Sequence, residues 1–132
     1  MSMNRVMHFE YGADDPERLA KFYTKTFGWE IKKWEEGGEP YWLVMTSDDK
    51  KAPGINGGIF KRPGPIKGVS VVNTVVVSDI DEYLEKVKKN GGKITVPKME
   101  VMKVGWLAYA EDTEGNPFGV MESTMSMEDM PM

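Results

Sequence analysis

The sequence predicts an α+β fold made of two tandem copies of a strand-helix-strand-strand-strand unit. Two stretches carry complete helix punctuation, and each is preceded by one strand-like stretch and followed by three. In addition, 64 residues separate Asp15 from Asp79, Glu17 from Asp81 and Gly28 from Gly92. Helix starts and stops thus fall on one offset, the mark of an internal repeat. Each copy is too short for a stable core of its own, so the two should pack together.

The first copy opens on Arg5 to Tyr11, where Met7, Phe9 and Tyr11 share one face of a strand and Val6, His8 and Glu10 the other. The apolar face should meet a helix, and the face with His8 and Glu10 should look at water or a ligand. In the helix that follows, Asp15 suits the cap, Pro16 the first helical position and Gly28 the stop. Leu19, Phe22, Tyr23, Thr26 and Phe27 form a single apolar stripe for packing. Strands are expected at Trp29 to Trp34, Tyr41 to Thr46 and near Gly57 to Phe60, separated by Gly37-Gly38 and by Ser47 to Gly54.

The proline- and glycine-rich run Lys61 to Gly68 reads as a connector, with the pair Lys61-Arg62 solvated within it. The second copy then begins with a β-branched strand, Val69 to Val77. Ser78-Asp79-Ile80-Asp81 offers a capping box, and Ile80, Tyr83, Leu84 and Val87 form the helix stripe up to Asn90-Gly91-Gly92. Strands follow at Lys93 to Pro97, Val104 to Glu111 and Pro117 to Glu122. The last two are joined by a turn at Asp112 to Asn116, where Gly115 and Asn116 supply backbone freedom. The expected organisation is one domain over residues 1–122, with modules at 3–61 and 69–122, a linker at 62–68 and a flexible tail at 123–132.

Composition excludes several classes. At 132 residues, 40% hydrophobic and 29% charged, the chain matches an ordinary globular domain. A formal net charge of −4 supplies no basic field to attract nucleic acid or an anionic membrane. With no cysteine there is no disulfide, thiolate metal site or cysteine nucleophile. The start lacks the apolar run of a signal peptide and no window is long enough for a membrane span, so a cytoplasmic setting is expected. Asp112-x-x-Gly115-Asn116 lacks the further carboxylates of a calcium loop and reads as turn chemistry.

His8 and Glu10 lie two residues apart on one strand face, which suits a general base tuned by a carboxylate, or a pair of ligand-binding groups. The bland alternative is an inward histidine satisfied by a neighbour, with Glu10 paired to a lysine or arginine.

Taken together, several motifs resemble the vicinal oxygen chelate superfamily, which includes glyoxalase I, bleomycin-resistance proteins and extradiol dioxygenases. They are His8 to Arg18, Phe22-Tyr23, Phe27-Gly28-Trp29, Ser78 to Asp81, Asn90 to Lys93 and Glu111 to Gly119. The resemblance runs to Glu122 and implies tandem βαβββ modules forming a curved mixed sheet around a cavity, commonly in homodimers. It identifies a fold that hosts many chemistries.

Metal-dependent members take four ligands from the first and last strands of the modules. Here the matching positions are His8, Gly58, Val72 (or Asn73 if the strand slips by one) and Gly119. His8 is the single histidine of the chain, and glycines stand where carboxylates belong. Neither a metal nor another cofactor is therefore expected, and glyoxalase I activity itself is not expected without its Lewis acid.

The resemblance also places Trp42, Asn73, Trp106 and Tyr109 on strands lining the sheet. With His8 and Glu10 they are candidate ligand contacts, aromatics suiting a flat or apolar small molecule. For the aromatics the alternative is packing between sheet and helix. Trp106 and Tyr109 have opposite parity, so a regular strand directs at most one of them to a cavity. The expected function is binding of a small organic molecule, with metal-independent lyase- or isomerase-type chemistry at His8 and Glu10. The alternatives are a non-catalytic, drug-sequestering binding protein and a regulatory or interaction domain.

Overall fold

The computed structural model describes residues 4–35, 38–64, 68, 71–101 and 103–124. Gly37, part of the linker and the tail from residue 125 lie outside the described residues. Two compact units emerge, residues 8–71 in one and residues 4–7 with 72–124 in the other. Each contains one helix and a mixed set of strands, and each follows the βαβββ order.

The unit of residues 8–71 holds most of β1 (Arg5–Ala13), then α1 (Pro16–Phe27), β2 (Glu30–Lys33), β3 (Tyr41–Met45) and β4 (Asn56–Lys61). Its strand order is β2-β3-β4-β1, antiparallel except for the parallel pair β1 and β4. The Asp15 carboxylate accepts the Arg18 N–H at 3.1 Å, and Pro16 opens α1. Gly28, at φ 76°, ends the helix by donating its N–H to the Thr24 carbonyl at 2.9 Å. One strand face meets α1 in a cluster of Ala13, Trp42, Val44 and Ile59, joined by Phe9, Tyr11, Leu19 and Ala20. Full burial of aliphatic side chains such as Val44 and Ile59 contributes about 1.5–3 kcal/mol each.

The helix stripe differs from expectation. Pro16 is buried and Leu19, Ala20 and Tyr23 are half-buried, whereas Phe22 and Phe27 remain 55% and 63% exposed. The contact stripe is therefore 16, 19, 20 and 23, rotated from the expected one. Tyr23 sets that rotation, because its ring stacks on Tyr11 at 5.4 Å and on Trp29 at 4.8 Å.

The other unit contains β5 (Val71–Val76), α2 (Ile80–Lys89), β6 (Lys93–Val101), β7 (Gly105–Glu111) and β8 (Pro117–Ser123), in the order β5-β8-β7-β6. The first residues of β1 belong here, with the Asn4 N–H on the Val76 carbonyl at 2.8 Å. Val77, Ile80, Leu84, Ala108 and Val120 form the core beneath α2, as the helix stripe predicted.

The capping expected of Ser78 and Asp81 is done otherwise. Asp79 accepts from the Glu82 N–H at 3.2 Å, and the Ile80 N–H is taken at 2.9 Å by the Glu122 carboxylate from β8. Asp81 instead pairs with Lys98 at 3.0 Å. Gly92 does not match Gly28 in backbone role, since α2 ends two residues sooner on the common offset. There Asn90 caps the helix and Gly91 takes φ 95°. β6 runs past Pro97 to Val101 because it closes one end of the order, where register shifts remove the need for a ladder N–H.

The turn between β7 and β8 is built on Asp112. Its carboxylate accepts the Glu114 and Asn116 N–H groups at 2.9 Å each and the Asn116 side-chain amide at 3.1 Å. These bonds, the Asn116 N–H foremost, hold its carboxyl below the usual range.

At the other end of β7, Gly105 has φ 147°, and a Cβ there would collide with the Glu122 carbonyl oxygen. Gly105→Ala is expected to cost about 2–4 kcal/mol, read as a lower urea midpoint with unchanged slope, because strain and overpacking act together.

Candidate functional site

Strand alternation sorts every candidate by face. In the 8–71 unit, Phe9, Tyr11, Trp42 and Ile59 turn toward α1. His8 and Glu10 therefore share the opposite face with Gly58, Tyr41 and Leu43, since Glu10 pairs with Gly58 and Gly58 with Leu43. His8 is 3% exposed and Glu10 7%, so both polar side chains are buried there.

His8 is held by a residue that the sequence reading did not single out. Its Nε2 lies 2.9 Å from the Tyr41 hydroxyl. Tyr41 stands on β3 and His8 on β1, with β4 between them. The tyrosine reaches over β4 at Gly58, where a Cβ would collide with its hydroxyl. The Tyr41 ring is in turn supported edge-on by Trp34, with centroids 6.1 Å apart. The other imidazole nitrogen, Nδ1, is buried and has no hydrogen-bond partner among the described residues. Burial pushes the His8 pKa below its ordinary value of 6.5, and the nearby Glu10 charge opposes that push. Burial thereby favours the neutral imidazole.

The aromatic candidates divide. Trp42 is a correction to the expected ligand contacts, being buried in the cluster under α1 with its indole N–H on Glu17 at 2.7 Å. In the other unit Trp106 also lies on the helix side, packed on the α2 core with the Lys98 ammonium 5.0 Å from its ring centre. Tyr109, of opposite parity, is buried on the helix-free face of that unit opposite Gly119.

Asn73 is likewise corrected. It is exposed and shares parity with Val75, which packs on the α2 core, so Val72 holds the helix-free position. Short sequence windows could not choose these registers, because a shift of one residue reverses every side chain.

The residues at the family's ligand positions do not fit a metal. His8 and Gly58 are what the first unit supplies, with Tyr41 filling the space over Gly58. Val72 and Gly119 are what the second supplies, and a Cβ on Gly119 would come 2.5 Å from the Thr74 hydroxyl. One imidazole with valine and two glycines is not a donor set for zinc, nickel or iron. Among the described residues no three His, Asp or Glu side chains converge.

A recess of about 350 Å³ lies at the start of α1, lined by residues including Asp14, Arg18, Phe22 and Arg62. Its charges are partly spent on one another, with Arg62 3.6 Å from Asp14 and 3.3 Å from the Gly12 carbonyl. The pair Lys61-Arg62 is thus tied to the end of β1, with the Lys61 ammonium also on the Asp14 carbonyl at 3.2 Å. No helix among the described residues is long and apolar enough to cross a membrane.

Comparison with known proteins agrees with this architecture. Residues 5–120 match the family model of the Glyoxalase/Bleomycin resistance protein/Dioxygenase superfamily. A glyoxylase-like domain-containing protein of Didymella fabae is 31% identical over 126 residues, covering 88% of this chain and 91% of that protein.

Among solved structures, a variant of Streptomyces coelicolor methylmalonyl-CoA epimerase in complex with 2-nitronate-propionyl-CoA superimposes with a TM-score of 0.70. It is 15% identical over 94% of this chain and 100% of that one. The methylmalonyl-CoA epimerase of Mycobacterium tuberculosis gives 0.68 at 11% identity over 97% and 93%. A hypothetical protein of Bacillus halodurans C-125 gives 0.69 at 12% identity over 92% and 96%. At such identities the structures speak for the fold alone. With two βαβββ modules, the match over residues 5–120 and the Didymella fabae relative in agreement, the chain belongs to the glyoxalase/bleomycin resistance protein/dioxygenase superfamily.

Proposed function

We propose that this protein binds a small organic molecule against the helix-free face of β1, β3 and β4 and performs metal-independent proton transfer on it. The supporting observation is the buried Nδ1 of His8, which has no hydrogen-bond partner among the described residues. A buried polar atom left unpaired costs about 1–3 kcal/mol, and a ligand group that meets it recovers that cost. His8 acts as general base, and Glu10, buried on the same face, stabilises the imidazolium that forms.

The substrate class that suits one neutral imidazole without a metal is a molecule whose C–H is acidified by an adjacent carbonyl. Proteins named as methylmalonyl-CoA epimerases share this fold, so the fold accommodates an isomerase-type reaction. A cytoplasmic setting and a homodimeric state belong to the same proposal.

The test is solvent-deuterium exchange. The protein is incubated in D₂O with a panel of small carbonyl compounds and thioesters, with binding followed in parallel by calorimetry. The expected result is deuterium entering a compound that also binds. Binding without exchange would establish the drug-sequestering alternative in place of catalysis. Absence of both, across compounds that fit the face, would overturn the small-molecule reading.

A further inference from the structure

We propose that Tyr41 is a positioning residue that fixes the tautomer of His8, holding the proton on Nε2 and presenting the bare lone pair of Nδ1 to the ligand. The inference rests on the ligand site read above, but it concerns which ring nitrogen is basic and can fail separately.

The two nitrogens of the buried His8 ring have unlike surroundings. Neutral imidazole carries one proton, and the tautomer follows from the partner each nitrogen has. Nε2 has a partner, the Tyr41 oxygen at 2.9 Å. A phenol hydroxyl accepts as well as donates, so it receives Nε2–H without penalty. Nδ1 is buried without a partner among the described residues. Unpaired buried N–H groups are rarer in proteins than under-satisfied acceptors, which places the bare nitrogen at Nδ1. The Nε2–H tautomer satisfies both conditions, and the Nδ1–H tautomer leaves a buried donor orphaned.

The backbone has been shaped for this contact. Tyr41 must cross β4 to reach β1, and the crossing point is Gly58, where even a methyl group would meet the tyrosine hydroxyl. Glycine at the family's carboxylate position thus has a positive role: it opens the path by which a tyrosine reaches the histidine. Trp34 against the Tyr41 ring fixes the direction of approach. The consequence for the ligand is chemical. The site offers an acceptor at Nδ1, so it takes a group that brings a hydrogen: a hydroxyl, an N–H or an acidified C–H. In proton transfer that hydrogen moves to Nδ1, the electron pair stays on the ligand, and the imidazolium retains its Nε2–H on Tyr41.

The single histidine makes the test direct. With ¹⁵N-labelled imidazole, one pair of ring-nitrogen resonances reports the tautomer without any substrate. In the neutral ring the expected result is a proton-bearing Nε2 and a bare Nδ1. Tyr41→Phe keeps the ring but removes the acceptor, and should lower the excess of the Nε2–H tautomer about five- to tenfold. Gly58→Ala should produce the same change by displacing an intact Tyr41. A proton on Nδ1 in the unaltered protein, or tautomer populations unmoved in a folded Tyr41→Phe variant, would overturn the proposal. Lack of deuterium exchange with the expected tautomer present would overturn the catalytic reading and leave this one standing.

Discussion

Replacing His8 with alanine is expected to lower turnover about 10²- to 10⁴-fold, the range supplied by a positioned general base, with a smaller loss of ligand affinity from the one hydrogen bond given up. The separation is the informative part. A histidine that merely fills space would lose affinity and stability together, and a base loses kcat by far more than KM rises. The pH profile of the unaltered protein gives the same residue a second signature. Burial holds the imidazole below its ordinary 6.5, so the active neutral form persists through neutrality and activity falls on the acid side, with a midpoint under 6.5. Glu10 raises that midpoint, so Glu10→Gln should move it further toward acid.

Stability follows with a defined sign. The unfolded chain takes up the histidine proton first as pH drops below 6.5, so stability present above that value is lost as pH falls toward the folded pKa. His8→Ala removes this contribution to the acid limb. Chemical denaturation across the interval measures it, and equal acid losses in both proteins would show that His8 is not a neutral buried group.

The second large effect is expected at Gly58. Gly58→Glu puts a carboxylate at the family's ligand position, and it should bind no stoichiometric transition metal. His8 and one new carboxylate remain far from a complete donor set when Val72 and Gly119 hold the other positions. The new side chain instead strikes the Tyr41 hydroxyl and sets a second carboxylate beside the buried Glu10, adding to the about 1–3 kcal/mol that overpacking costs. Adding Tyr41→Ala should return part of that loss, since residues in contact couple non-additively. Elemental analysis of the purified variant and a double-mutant cycle in urea are the measurements. A stoichiometric zinc or nickel, or strictly additive losses, would contradict the picture of Tyr41 filling that place.

The sequence made some of this legible and hid the rest for identifiable reasons. Asp15, Pro16 and Gly28 marked α1 because caps and stops depend on residues adjacent in the chain, and α1 indeed runs Pro16–Phe27. The repeat was legible in the same way, with Asp15 and Asp79 both capping through i+3 N–H groups. Glu122 was invisible as a cap for α2 because it comes from 42 residues away. Trp42 and Trp106 were ambiguous because either face of a strand welcomes an aromatic, and only the helix above them decides. Tyr41 was missed because its contact requires β3, β4 and β1 to be adjacent in that order, with glycine under the crossing.

Sequence alone therefore determined the local and periodic content: two βαβββ modules, their helix signals, the Asp112 turn, the pairing of His8 with Glu10 on one strand face, and the missing carboxylates at Gly58 and Gly119. Tertiary structure decided which side chains meet. It sent Trp42, Asn73 and Trp106 to the helix side, buried His8 with one nitrogen satisfied and the other without a partner among the described residues, and brought Tyr41 over Gly58. The physical reason is range. Capping and alternation are set within a few residues, whereas strand order and register are set by which apolar faces bury together, and the chemistry of His8 depends on that second choice.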